Sequence, residues 1–205
     1  MQYNTLATDE VINRTTEAFK SKNVEVIVAE NKAEALDKIK GLIPKGASVM
    51  NGSSVTLEQI GFVDYLSSGE HGWNNLHEGI LVEKDQVKQA ILRKQATLSD
   101  YYLGSVHALT ETGEMIIASN TGSQLPHIVF TSPNLIFVAS TKKITPTLPD
   151  AMKRLEEYVI PLEDKHMMEK YGYGTSLNKI VIFKNENPRM GRKVRIILVK
   201  EDLGF

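Results

Sequence analysis

The sequence contains no cysteine. Disulfides, thiol catalysis, iron–sulfur ligation and cysteine-based zinc sites are therefore excluded from this chain. An excess of charge of either sign is also missing. Lys and Arg number 24 against 25 Asp and Glu, for a formal net charge of -1. They are spread along the chain without a basic stripe, so the electrostatic footprint of a nucleic-acid binder is absent. No apolar run approaches the length of a membrane span. The polar start, Met1–Glu10, has no signal-peptide core, and the cytosol is the expected compartment. Internal repeats, low-complexity tracts and Pro/Gly-rich linkers do not occur. Nor do a Walker phosphate loop, a dinucleotide glycine fingerprint or a Gly-x-Ser-x-Gly elbow.

What is present is ordinary globular material. The chain has 205 residues, of which 41% are hydrophobic and 24% charged. That suffices for a real core and fits one domain over 1–205. Helical spacing of Val11, Ile12, Thr15, Ala18 and Phe19 predicts a helix over 9–22, with Thr8 as cap. A strand follows at Val24–Ala29, then a helix from Asn31 to Leu42, stopped by Pro44-Lys45-Gly46. Ala47–Met50 is the next strand. Thr56 and Gln59 have capping-box spacing, which starts the following helix near Thr56. Residues 67–79 read as loop and 84–98 as helix. Val106–Leu109 and Met115–Ala118 flank the hairpin signal Glu111-Thr112-Gly113. Leu135–Ala139 is a buried-type strand. Thr147-Leu148-Pro149-Asp150 starts a helix that Pro161 ends. Ile180–Phe183 and Val194–Val199 are the last strands. Alternating strands and helices predict a Rossmann-like α/β fold, its sheet mostly parallel and covered by helices, with the paired strands of the second half making it mixed. Ligands of such sheets bind beyond the carboxyl ends of the strands.

Three loops after strands carry candidate chemistry. Gly52, Ser53, Ser54 and Thr56 offer hydroxyls and backbone N–H groups to an anion at a helix start, although a capped helix needs the same residues. Glu111 can serve as nucleophile or general base, with Thr112, Thr121, Gly122 and Ser123 orienting a small polar ligand; a hairpin turn and a surface loop have similar composition. Lys142 and Lys143 can bind a carboxylate or phosphate, or form a Schiff base, or be plain solvated lysines. His71 and His77, with Glu78, match no metal-ligand spacing, so no metal is expected. His107 and His127 read as packing or surface residues.

Together these segments resemble the LUD (lactate-utilisation) domain family. DYYLGSVHALTETGEMIIASNTGSQ at 100–124 carries most of the likeness, through its Ala-x-Thr-Glu-Thr-Gly turn and Ser-x-Thr-Gly-Ser loop. NGSSVTLEQIGF at 51–62, TKKITPTLPDAMKRLEEYVIPLE at 141–163 and GRKVRIILVKEDLGF at 191–205 extend it over nearly the whole chain. The resemblance implies a fold like that of ribose-5-phosphate isomerase, glucosamine-6-phosphate deaminase and CoA transferases. It implies a small anionic metabolite as ligand and, in the lactate system, iron–sulfur oxidoreductase subunits as partners. Without cysteine, any redox centre must sit on such a partner, and no cofactor is identified for this chain. Gly174-Thr175-Ser176-Leu177-Asn178-Lys179 stands where some lactate-system members carry Gly-Pro-Ser-x-Thr-Ala-Asp-Ile. Rival expectations are an independent enzyme of the CoA-transferase or isomerase type, with Glu111 as acid/base or nucleophile, and a regulatory or scaffolding protein without chemistry.

Overall fold

Capping side chains set the helix starts. Thr8 accepts from the Val11 N–H and opens α1 (Asp9–Lys20), which turns Ile12, Thr15 and Phe19 inward. After β1 (Val24–Ala29), Asn31 accepts from Glu34 N and opens α2 (Lys32–Leu42). Strand β2 (Ser48–Asn51) leads to α3 (Val55–Gln59). The cap here is Ser54, not Thr56, because the Ser54 side chain accepts from Leu57 N while Thr56 is buried toward the interior. Gly61, at φ +76°, then separates α3 from α4 (Phe62–Ser68), so the expected single helix is two. The computed structural model describes residues 3–205; Met1 and Gln2, where the polar N-terminal stretch begins, lie outside the described residues.

The 67–79 region is less of a loop than expected. It holds the short β3 (Asn74–Asn75) and runs into α5 (Leu76–Val82), capped by Asn75. Helix α6 (Gln86–Gln95) precedes β4 (Tyr101–Gly104). Next come β5 (Ala108–Thr110) and β6 (Met115–Ser119), then β7 (Asn134–Ser140) and β8 (Ile144–Thr145). Thr147 caps α7 (Leu148–Arg154). A π-helical turn, Leu155–Val159, joins it to α8 (Ile160–Tyr171). Pro161 therefore does not end this helix. It falls in the first turn after the π segment, where the backbone ladder is already interrupted and a missing N–H costs least. Strands β9 (Lys179–Phe183) and β10 (Lys193–Val199) complete the chain's regular structure.

The central sheet has the order β1-β10-β7-β4-β2-β3, and every pairing in it is parallel. Both faces of β7 are covered. Ile136 and Val138 join the core on one side with Ala35, Ile39 and Leu57; Leu135, Phe137 and Ala139 join the other with Ile12, Phe19 and Ile196. That two-sided burial is why the strand is continuously apolar. The hairpin expected around Glu111-Thr112-Gly113 forms, yet it does not enter this sheet. Strand β4 already has β7 and β2 as neighbours, so the chain after Gly104 leaves the central sheet. It builds a second sheet, β8-β5-β6-β9, in which β6 pairs antiparallel with β5 and β9. The mixed character sits in that second sheet. Among the described residues, no helix is long and apolar enough to cross a membrane.

Because Phe137 is wholly buried at the centre of the sheet, Phe137→Ala should lower unfolding free energy by about 3–5 kcal/mol. Denaturant unfolding of both proteins measures this.

Candidate functional site

A cleft of about 590 Å³ runs along the carboxyl edge of the central sheet. One side is the loop after β2 with α3. The other is formed by the second sheet, the loop after β6 and α8. The link after β4 supplies its floor, and Lys143, delivered by a single 3-10 turn after β7, stands at one end. The Lys143 side chain is buried. Its Nζ donates to Ser105 Oγ at 3.0 Å, the Val106 carbonyl at 3.1 Å and Thr56 Oγ1 at 3.3 Å. No carboxylate lies within ion-pair distance of it among the described residues. Burial, followed by the charges of Arg154 and Lys142, pushes the Lys143 amine down to about 7; Glu163, across the cleft, opposes them.

Arg154 deepens this positive potential. It is completely buried, donates from Nη1 to the His107 carbonyl, and leaves Nε and Nη2 without a hydrogen-bond partner. Its neighbour Lys142 is neutralised instead, by an ion pair with Asp202, and donates to the Gly204 carbonyl at 2.7 Å. Gly204, at φ +63°, closes over the lysines. A Cβ there would sit 2.3 Å from Thr56 Oγ1 and 3.1 Å from Lys143 Nζ, so only glycine fits.

The histidines that line the cleft are uncharged near neutrality. Burial, then Lys143 and Arg154, holds His107 down to about 3, and burial holds His127 down to about 4. His107 Nδ1 accepts from Ala118 N at 3.0 Å, which leaves its proton on Nε2. Beside the β2 end, His77 Nδ1 donates to Asn51 Oδ1 at 3.0 Å, leaving Nε2 as an acceptor; burial and Arg93 lower its pKa. Tyr102 stacks on His127 with ring centroids 4.5 Å apart, and its hydroxyl fills the space a Cβ on Gly52 would take, 2.4 Å away. Among the described residues no group of three or more His, Asp or Glu is arranged to hold a metal.

The structure brings together Gly52, Ser53, Ser54, Thr56, Thr121, Ser123 and Lys143 around one cleft. Glu111, Thr112, Gly122 and Lys142 do not line it. Glu111 accepts from Arg14 Nε at 2.7 Å and ion-pairs with the same guanidinium, tying α1 to the hairpin. Thr112 donates to Glu114 at 2.6 Å. Burial alone would raise Glu114, but hydrogen bonds from Thr110 and Thr112 and the Lys22 ammonium outweigh it and hold the carboxyl at about 2. The expected grouping of Glu111 with residues 120–124 is not formed, for a simple reason. They lie at opposite ends of β6, whose five residues span about 17 Å. Gly122 serves the backbone at φ +87°, with Lys179 packed where a Cβ would be. Asn51, which opens the Asn51-Gly52-Ser53-Ser54 candidate loop, also lines the cleft, whereas sequence reasoning missed His77 as a cleft residue and Tyr102, Ser105 and Glu163 altogether. Ser105 directly follows a strand end, and that is the one available signal.

A second depression of about 640 Å³ lies beside α1 at the amino ends of β1 and β10. Parallel sheets place ligands at the other edge.

The LUD domain profile matches residues 12–193. A solved structure of a DUF162 family protein from Deinococcus radiodurans is similar in fold, with a TM-score of 0.57 at 12% identity, over 95% of this chain and 99% of that one. Ribose 5-phosphate isomerase A from Neisseria gonorrhoeae aligns with a TM-score of 0.42 at 13% identity, over 85% of this chain and 94% of that one. No curated protein matches the sequence.

Lys143 has a consequence for stability against pH. The folded state holds the amine down to about 7, whereas an unfolded lysine titrates at its ordinary value of 10.5. Between those values the unfolded chain binds the extra proton, so stability should rise with pH, by at most about 1.4 kcal/mol per unit. Below the lower value the slope vanishes. Unfolding across this range should show the rise, and Lys143→Met should remove it.

Proposed function

The chain belongs to the LUD domain family, and we propose that it binds a small organic anion in the cleft, as a single cytosolic domain over 1–205. The observation that carries this reading is the buried Lys143 ammonium, held by hydroxyls and a carbonyl with no carboxylate partner. A buried cation without a counter-ion is costly, and an entering carboxylate or phosphate relieves that cost. Ser53 and Thr121, both on the cleft wall, add hydroxyl donors. The catalytic role expected of Glu111 lies outside this reading, since its carboxylate is occupied by Arg14 away from the cleft.

Family membership connects the chain to lactate utilisation. With no cysteine, its part in such a system is that of a ligand-binding subunit whose electrons pass through iron–sulfur centres on partner proteins. The neutral fraction of Lys143 near pH 7 also makes it the group best placed to accept a proton from a bound acid.

Calorimetric titration with short organic acids, sugar phosphates and CoA esters tests the reading. At pH 8 at least one anion should bind with uptake of up to one proton, seen as a heat that depends on buffer ionisation enthalpy. Lys143→Met should weaken that binding at least tenfold, and Ser53→Ala a few-fold, both leaving the fold intact. Equal affinity in Lys143→Met would place the anion elsewhere.

A further inference from the structure

The cleft is far larger than a three-carbon hydroxy acid. Lys143 follows β7 and His77 follows β3, and the sheet order puts β4 and β2 between them. The side chains converge from there: Lys143 Nζ meets Ser105 and Val106 just beyond β4, and His77 bonds Asn51 at the end of β2, so the two groups sit at neighbouring strand ends. The whole cleft holds about 590 Å³, within the range of sites that enclose ligands much larger than lactate.

The lining changes character with position. Around Lys143 it is polar, with Thr56 and Ser105. Along α8 the lining includes the partly exposed Ile160 and Met167, interleaved with Glu163. On the rim stand Tyr171 and Tyr173, their rings stacked at 5.8 Å yet 49% and 59% exposed. Paired aromatic rings left in water at the mouth of the cleft are suited to cover an apolar ligand.

Resting on the anion-binding reading above, we infer that the ligand is an amphipathic organic acid. Its carboxylate meets the Lys143 end, and an apolar or aromatic body lies along the walls under Tyr171 and Tyr173. The buried lysine fixes the head by charge. The cleft's volume and the exposed tyrosine pair call for the body, which a short hydroxy acid lacks.

Isothermal titration of the full chain with lactate, 2-hydroxyhexanoate, 2-hydroxyoctanoate and phenyllactate tests this, using wild type, Lys143→Met and the double variant Tyr171→Ala/Tyr173→Ala. Both tyrosines are surface residues, and unfolding curves check that the variant folds. Affinity should climb along the series, roughly two- to four-fold per added methylene, with phenyllactate well above lactate. The double variant should flatten that climb and leave lactate affinity within about twofold; Lys143→Met should weaken every acid alike. A series with no length dependence, or one that the double variant leaves unchanged, overturns the inference while the anion site stands. Failure of every acid to bind overturns the inference together with the reading it rests on.

Discussion

Strand β7 cannot meet water on either face, and the site depends on that. Its neighbours β10 and β4 hold it edge to edge, while α1, α2 and α3 residues pack its two faces. A strand so enclosed has no freedom of register, because a one-residue slip would exchange its two apolar faces. Its carboxyl end is therefore fixed, and with it the turn that carries Lys142 and Lys143. The two adjacent lysines meet opposite surroundings. One finds a carboxylate, Asp202; the other is directed into a shell of hydroxyls.

That shell draws on three separate strand ends. Thr56 comes from beyond β2, Ser105 and Val106 from beyond β4, and Gly204 closes it from beyond β10. The β4 end contributes two groups and the others one each, and none of them would define a site alone. The arrangement follows from the parallel order of the sheet, which lines up all its carboxyl ends along one edge. Helix starts on that edge point backbone N–H groups the same way, so the local field of the backbone agrees with the charge of the lysine.

Much of this was legible in the sequence, and the limits have physical causes. Leu135–Ala139 announced a strand buried on both sides, and Thr8, Asn31 and Thr147 marked true helix starts. The lysines after that strand were recognised as candidates, but spacing alone does not distinguish a buried lysine from a solvated one. Strand β4 escaped because Tyr101-Tyr102-Leu103-Gly104 is short and shows no alternation, its inward residues being buried on both faces. Helix α5 escaped because only Ile80 is buried along it, so no apolar stripe formed. Glu111 was grouped with the 120–124 loop through motif blocks adjacent in sequence, although the extended strand between them separates them in space. His77, Tyr102 and Glu163 carry no local signal, since what unites them with Lys143 is convergence from distant parts of the chain.

The π-helical turn at Leu155–Val159 governs the outer wall by phase. Ile160, Glu163, Met167 and Tyr171 follow one another at helical spacing and all face the cleft. Each residue of helix advances the side chains by about 100°, and the wider turn holds one residue more than an α-helical turn would. Take that residue away and the whole row swings round the helix axis. Glu163 would leave its place opposite Lys143, and Tyr171 would turn away from the cleft. The orientation of an entire wall is thus set by a single surplus residue in the turn directly before it, a stretch that touches the cleft only at its last position, Val159.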